Sequence, residues 1–142
     1  MTKNQKLAKA ATDFVDLLTP GNFHLAEKYI SPECEYSYVG NVLKGKAVLQ
    51  SFIDNHDNAS KKLDKIQYDS SEVESIEGNT VSVLVADQIY VKDKIHLYRD
   101  RLIVTFKEDE DLKSIVRIEN KRVDGERDKL MAFFKSCGID WT

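Results

Sequence analysis

The chain has 142 residues, of which 42% are hydrophobic and 9% aromatic, and its formal net charge at pH 7 is −3. These values are typical of a soluble globular protein, and the length suits one domain over residues 1–142 with its own core. A weakly acidic chain without a basic cluster is not expected to bind nucleic acid or anionic membranes. No apolar run approaches the ~20 residues that span a bilayer, and we expect a cytoplasmic protein.

Cysteine and histidine positions give no sign of a metal or redox centre. Cys34 and Cys137 are far apart in sequence and are predicted to be buried, reduced thiols, as is usual in the cytoplasm. The three histidines, His24, His56 and His96, lack the close spacing of zinc-binding motifs. We therefore expect no metal and no cofactor.

The first half of the chain is predicted to contain three helices and one strand. An apolar stripe predicts a first helix over Gln5–Leu18, which Thr19-Pro20-Gly21 ends. Asn22 then caps a short second helix, and alternating residues predict a strand over Glu33–Val39. A third helix is predicted from Gly45 to about Asn58. The stripe of the first helix consists of Leu7, Ala10, Ala11, Phe14, Val15, Leu17 and Leu18.

The second half is predicted to contain four strands and a final helix from Gly125 to Cys137. Since no helix separates the strands, they are predicted to pair antiparallel. The second of them, Thr80–Val91, is apolar on both faces and should be central in the sheet. The other three are Leu63–Ile76, Ile95–Lys107 and Leu112–Val123, with turns at Glu77-Gly78-Asn79, Lys92-Asp93-Lys94 and Glu108-Asp109-Glu110-Asp111.

The order of these elements predicts an α+β fold. A cone-shaped, curved antiparallel sheet would carry the three N-terminal helices on its concave face, with the last helix added at the C-terminus. A cone of this kind has a mouth and is able to hold a ligand. The outer face of a central strand that is apolar on both sides would need a cover, so we expect a homodimer through the convex face.

Short sequence patterns resemble the nuclear transport factor 2-like superfamily. They are the Phe14-Val15 and Leu17-Leu18 pairs before a Pro-Gly turn, the step Tyr29-Ile30-Ser31-Pro32-Glu33 into a strand, the helix entry from Leu43 to Phe52, and the closing strand Leu112-Lys113-Ser114-Ile115. Together they are similar to the SnoaL-like and ketosteroid-isomerase-like branch. The resemblance implies a cystatin-like α+β cone, a frequent dimer, and a cavity for a small hydrophobic molecule.

The resemblance also allows a test for ketosteroid isomerase chemistry, which needs a carboxylate base and two acids that donate to an enolate oxygen. The tyrosine donor of that family corresponds to Phe14, and its aspartate base corresponds to Ser37 or Tyr38. The second donor corresponds to Leu102. None of these side chains supplies the required group, so ketosteroid isomerisation is not expected. An epoxide-hydrolase-like water site would require an aspartate near position 120, where this chain has the amide Asn120 instead.

Strand alternation supplies other candidates for a site. If Leu102 faces inward, so do His96, Tyr98 and Asp100, and we predict His96 and Asp100 as catalytic proton-transfer groups. The same residues would also be ordinary at a partly exposed strand end or in a dimer interface. The ligand-binding residues are predicted to be Phe14, Tyr38, Phe52, Tyr98 and Leu102.

Four residues are open to two interpretations. Tyr36 and Tyr38 share a strand face and would be either ligand donors or cavity wall. Asp87 lies in an apolar strand, where a carboxylate is costly unless paired. It would form a structural salt bridge with Arg99, Arg101 or Arg117, or remain an acid of raised pKa. His56 was expected at an exposed helix end or at the mouth of the cavity.

Two classes of function remain after these considerations. One is a cofactor-independent isomerase, lyase or cyclase that acts on a small hydrophobic molecule by acid–base chemistry. The other is a non-catalytic module that binds a ligand or mediates association. A carboxylate or histidine of shifted pKa deep in the cavity would favour the first class, whereas a purely apolar or filled cavity would favour the second.

Overall fold

A computed structural model describes residues 1–108 and 114–141. Within these ranges, the predicted helices are present and the sheet has seven strands. The helices are α1 (Lys3–Leu18), α2 (Phe23–Ala26), α3 (Lys46–Lys62) and α4 (Glu126–Ser136). The strands are β1 (Ile30–Tyr38), β2 (Asn41–Lys44), β3 (Lys65–Tyr68), β4 (Glu72–Glu77), β5 (Thr80–Val91), β6 (Lys94–Phe106) and β7 (Ile115–Asn120). The predicted acidic turn at 109–111 and the predicted strand start at 112–113 lie outside the described residues.

The first helix begins with a capping box. The Thr2 hydroxyl accepts a hydrogen bond from the Gln5 backbone N–H, and the Gln5 side chain accepts one from the Thr2 N–H. These bonds satisfy backbone donors that would otherwise lack partners at the helix start. The predicted apolar stripe of this helix faces the sheet, and five of its residues are buried: Leu7, Ala11, Phe14, Val15 and Leu18. This helix therefore supplies one side of the core.

The strands form one curved sheet in the order β2-β1-β7-β6-β5-β3, and β4 also pairs with β5. The predicted α+β cone is confirmed, and β5 is central as expected. The sheet is mixed rather than wholly antiparallel, because β1 pairs parallel with β7. These two strands are separated by most of the chain, so the rule that neighbouring strands pair antiparallel does not apply to them.

The strands differ from the prediction at two places along the chain. The run Leu63–Ile76 forms two strands, because the chain leaves the sheet between Tyr68 and Glu72 and pairs again with β5 further along. The Ser71 backbone N–H there donates to the Asp16 carboxylate on α1 over 2.9 Å. The strand β2 was not predicted; it pairs back onto β1 after Val39 and Gly40, both of which have positive φ.

The register of β5 against β6 decides which side chains face the interior. Asp87 is opposite Tyr98, and Val85 is opposite Asp100. Along β6, Leu102, Val104 and Phe106 are buried, whereas Ile95 and Leu97 on the other face are exposed. The even-numbered residues of β6 therefore face inward, as the predicted strand alternation required.

The interior of the cone divides into two parts. The main core packs α1 against β1, β5, β6 and β7, and Phe14 and Phe106 are its largest fully buried side chains. A second cluster packs α4 against the ends of α3, β5 and β6, around Leu130 and Phe134. Between these two clusters the sheet remains uncovered on its inner side. None of the helices in the described ranges is both long and apolar enough to cross a membrane.

Candidate functional site

A cavity of about 780 Å³ lies between α3, α4 and the inner face of the sheet. Its volume is within the range of roughly 300–1,000 Å³ that is usual for small-molecule sites. Apolar and aromatic side chains cover much of its wall, and the polar side chains converge from β5, β6 and the segment after β7. The residues that line the cavity include Tyr36, Tyr38, Phe52, His56, Tyr68, Asp87, Tyr98, Asp100, Leu102, Asn120, Arg122, Arg127, Leu130 and Trp141.

Two aspartates project into this cavity from neighbouring strands. Burial, together with the smaller effects of the charges of Asp100 and Asp69, raises the pKa of Asp87 from its ordinary value of 3.8 to about 7. Burial also raises the pKa of Asp100. A carboxyl group with a pKa near 7 is suited to donate or accept a proton at neutral pH.

Asp100 is held by hydrogen bonds that favour its ionised form. Its Oδ1 accepts from the Arg101 backbone N–H over 2.8 Å, and its Oδ2 accepts from Asn120 Nδ2 over 3.0 Å. These bonds and the charges of Arg122 and Arg127 oppose the rise in the pKa of Asp100. The two carboxyl groups therefore have different environments, and Asp87 is the one that is more readily protonated.

Asp87 does not form the salt bridge that the sequence suggested. Among the described residues, Arg101 pairs with Glu74 and Arg99 with Glu126, both away from the cavity interior. The odd-numbered residues of β6 face outward, so their guanidinium groups are on the opposite side of the sheet from Asp87. Of the two interpretations of Asp87, the acid of raised pKa is the one consistent with this geometry.

Four tyrosines surround the carboxyl groups. Burial, together with the charges of Asp87 and Asp100 respectively, raises the pKa of Tyr68 and of Tyr98 to about 12. The pKa of Tyr36 is raised for the same reasons. Tyr36 stacks on Tyr38 with ring centroids 5.1 Å apart, and it also contacts Phe52 at 4.5 Å. Tyrosines that stay protonated are hydrogen-bond donors for a ligand at neutral pH.

The predicted site residues are not all brought together. Tyr38, Phe52, Tyr98, Asp100 and Leu102 line the cavity. Phe14 does not; it is fully buried in the main core, where its ring is 5.8 Å from that of Tyr29.

His96 also lies outside the cavity wall. Its ring stacks on Phe133 of α4 at 5.0 Å, and its Nε2 is buried without a hydrogen-bond partner among the described residues. It is four residues from Asp100 on one extended strand, which separates their Cα atoms by about 13 Å. The two side chains therefore cannot act on one another directly, as the sequence interpretation had assumed.

The sequence interpretation missed two arginines that line the cavity. Arg122 follows β7, and Arg127 lies in the first turn of α4. Arg127 lies on a helix, to which strand alternation does not apply. Arg122 lies within the predicted strand Leu112–Val123 but was not assigned to the cavity. The sequence gives only a weak indication that these arginines belong to a site, namely the clustering of polar residues where the last strand meets the last helix.

The C-terminal segment completes the wall of the cavity. Trp141 stacks on Phe134 with centroids 5.0 Å apart, and Lys62 Nζ lies 5.4 Å from the centre of the indole ring. Lys62 also donates to the Asp140 carbonyl over 2.8 Å, which ties this segment to the end of α3. Within α3, His56 contacts Phe23 edge to face and stacks toward Tyr68, and both His56 and Tyr68 line the cavity.

Comparison with known proteins identifies the fold. No family model matches the chain, and no curated protein matches it in sequence. Among solved structures, a candidate polyketide cyclase from Xanthomonas campestris superposes with a TM-score of 0.69 at 10% identity, over 92% of this chain and 98% of the other. A candidate SnoaL-like polyketide cyclase from Shewanella putrefaciens gives 0.60 at 13% identity, over 94% and 88%.

A third solved structure is named for its fold. It is an NTF2-like protein with a cystatin-like fold from Novosphingobium aromaticivorans, with a TM-score of 0.61 at 20% identity, over 89% of this chain and 88% of that one. The chain thus has the nuclear transport factor 2-like fold, and the resemblance drawn from its sequence is confirmed at the level of fold. Function has to be argued from the site, because one fold carries many activities.

Proposed function

We propose that the protein is a cofactor-independent enzyme that moves a proton on a small, largely hydrophobic molecule, as an isomerase, lyase or cyclase does. The observation that carries this proposal is the pair Asp87 and Asp100 in one cavity, with pKa values shifted by different environments. Two carboxyl groups whose pKa values are pushed apart are suited to act as acid and base in one reaction. The solved structures of candidate polyketide cyclases with this fold are consistent with the proposal.

In the proposed reaction, Asp100 is the base. Its carboxylate takes a proton from a carbon next to a carbonyl group of the substrate, and Asn120 holds it in position. Asp87 in its protonated form, together with a tyrosine hydroxyl, donates to the carbonyl oxygen as negative charge develops there. Return of the proton to another carbon gives an isomer, and attack of the enolate carbon on a second carbonyl gives a ring. Neither outcome consumes an oxidant or reductant.

The ligand-binding roles follow from position. Tyr38, Phe52 and Leu102 would form the apolar wall against the body of the substrate, and Tyr98 would supply a hydroxyl next to Asp100. His96 and Phe14 are not part of the proposed machinery, because neither lines the cavity. Steroid substrates of the ketosteroid isomerase type are not proposed, since Phe14 and Leu102 replace the donors of that family.

The experiment measures exchange of carbon-bound protons in D₂O by ¹H NMR. A panel of aromatic ketones and β-keto esters is incubated with the protein, and loss of the signal next to the carbonyl is followed. We expect faster exchange of at least one compound with the parent protein. Asp100→Asn should reduce the enzymatic rate by about 10²-fold or more, with a melting temperature within a few degrees of the parent. Asp93→Asn, at the exposed β5–β6 turn, is the matched control and should leave the rate unchanged.

Other outcomes would separate the two classes of function. Binding of a panel compound without accelerated exchange would favour a non-catalytic binding module. Equal rates for the parent and Asp100→Asn would remove Asp100 from the role of base.

We also propose a homodimer that forms through the outer face of the sheet. Tyr90 and Ile95 are cross-strand partners on that face, and Leu97 lies two residues from Ile95 on the same face. Ile95 is 60% exposed in the single chain, and Leu97 is 39% exposed. A second copy packed on this face would cover the apolar side chains. The buried, free thiols of Cys34 and Cys137 suit our further proposal of a cytoplasmic location.

A further inference from the structure

The cavity wall contains an arginine pair without acidic partners. Arg122 and Arg127 both line the cavity, yet neither forms an ion pair in the part of the chain that the structure describes. Two arginines of β6 show the contrast: Arg101 binds Glu74 through two hydrogen bonds of 2.6 and 3.0 Å, and Arg99 Nη1 is 3.8 Å from Glu126. Arg127 donates a hydrogen bond to the Tyr98 hydroxyl, and the guanidinium groups at the cavity thus have no carboxylate partner among the described residues.

Asp100 does not form an ion pair with either arginine among the described residues. Asp100 is close enough for both arginines to lower its pKa. Its two oxygens, however, already accept hydrogen bonds from Arg101 N–H and Asn120 Nδ2. Asp100 is thus one carboxyl group close to two guanidinium groups. Asp54, which also lines the cavity from α3, is exposed and accepts a hydrogen bond from Gln50.

The chemistry of the pair points to a planar anion. A guanidinium presents two parallel N–H donors that match the two oxygens of a carboxylate. Tyr98 stands beside the pair, and both arginines oppose the rise of its pKa. The stacked rings of Tyr36 and Tyr38 and the side chain of Phe52 offer an aromatic wall elsewhere in the same cavity.

We propose that the ligand of this cavity is an aromatic or otherwise unsaturated carboxylic acid, whose carboxylate binds between Arg122 and Arg127. Its apolar body lies along Tyr36, Tyr38 and Phe52, within reach of the two aspartates. This inference rests on the proposed function for the use of the cavity, and it specifies the substrate class. The arginines position the substrate and take no part in proton transfer.

The test measures the affinity of matched acids and amides by isothermal titration calorimetry. The probes are 2-naphthoate with 2-naphthamide and 4-phenylbutanoate with 4-phenylbutanamide, and 2-naphthyl phosphate is a third kind of head group. We expect at least one acid to bind about tenfold more tightly than its amide, since hydrogen bonds to charged groups are stronger than those between neutral groups. Arg122→Gln and Arg127→Gln should each remove most of that preference without weakening the amide.

Lys121→Gln is the matched control, because it removes the same charge from the exposed residue next to Arg122, outside the cavity wall. It should leave the preference unchanged. An equal loss in Lys121→Gln would show a general charge effect and overturn the proposed site. Tighter binding of 2-naphthyl phosphate than of 2-naphthoate would also overturn it, in favour of a phosphate site.

Failure of this inference can be told apart from failure of the proposed function. Equal affinity for acid and amide would refute the carboxylate site while leaving the cavity as a binding site. Binding of the acids with the expected arginine dependence, but no proton exchange with any compound, would support the carboxylate site and refute the enzyme. Absence of binding by every probe would contradict both.

Discussion

Asp87 and Asp100 line one cavity from neighbouring antiparallel strands, as diagonal neighbours in the register. Asp87 is opposite Tyr98, two residues before Asp100, and this relationship places Cα atoms roughly 7–8 Å apart. At that separation each charge raises the cost of ionising the other group. The electrostatic effect of Asp100 on Asp87 adds to burial in raising the pKa of Asp87 to about 7.

The raised pKa of Asp87 makes stability depend on pH. The folded protein binds a proton at Asp87 up to about pH 7, whereas the unfolded chain releases it near the ordinary value of 3.8. Between these values the folded state binds more protons, so the free energy of unfolding must decrease as pH rises. We expect Asp87→Asn to flatten this decrease and to be more stable than the parent at pH 8, by roughly 1–3 kcal/mol.

Urea unfolding at pH 4.5, 6 and 8 measures this difference. Asp93→Asn at the exposed turn should follow the parent curve. A variant Asp87→Asn that loses stability equally at all three pH values would show that the carboxyl group is not destabilised when ionised.

The fold depends on Phe14 as a core residue of α1. Phe14→Asp would place a charge without a partner in a fully buried position, and we expect a loss of about 3–5 kcal/mol or failure to fold. Lys6→Asp, at an exposed position on the same helix, is the control and should stay close to the parent. Thermal unfolding followed by circular dichroism provides the measurement; a cooperative melt of Phe14→Asp within a few degrees of the parent would remove α1 from the core.

The proposed dimer interface is tested by charged residues on the outer sheet face. Leu97→Glu would place a charge in the apolar patch and should convert the dimer to a monomer at micromolar concentration. Leu25→Glu changes another exposed apolar residue, on α2 and away from the sheet, and should leave the dimer intact. Light scattering after size exclusion gives the masses. A monomeric parent protein would contradict the proposed interface.

Much of the fold could be predicted from local pattern, because the side-chain period of each element survives in the sequence. The apolar stripe of α1 and the two-faced pattern of β5 placed both elements correctly, and the β5 boundaries match the prediction. The parallel pairing of β1 with β7 could not be predicted in this way, since it depends on closure of the whole sheet. The break between β3 and β4 was missed because both parts pair with the same strand.

The site was less accessible to sequence reasoning than the fold. Alternation along β6 gave the correct face for Tyr98 and Asp100, but it also assigned His96 to the site. Whether an inward-facing residue of β6 reaches the cavity depends on its position along the strand. His96 lies where Phe133 of α4 covers it. Arg127 enters the cavity only because α4 packs there, a tertiary arrangement that no local period encodes.

Titration of Asp87 tests the proposed acid–base pair most directly. In protein labelled with ¹³C at the aspartate side-chain carboxyl carbon, and assigned by comparison with Asp87→Asn, the Asp87 signal should shift with a midpoint near pH 7. In Asp100→Asn that midpoint should fall, because a neighbouring negative charge is removed. A midpoint near 4 in the parent protein, unchanged by Asp100→Asn, would show an ordinary solvated carboxylate and contradict the proposed acid–base pair.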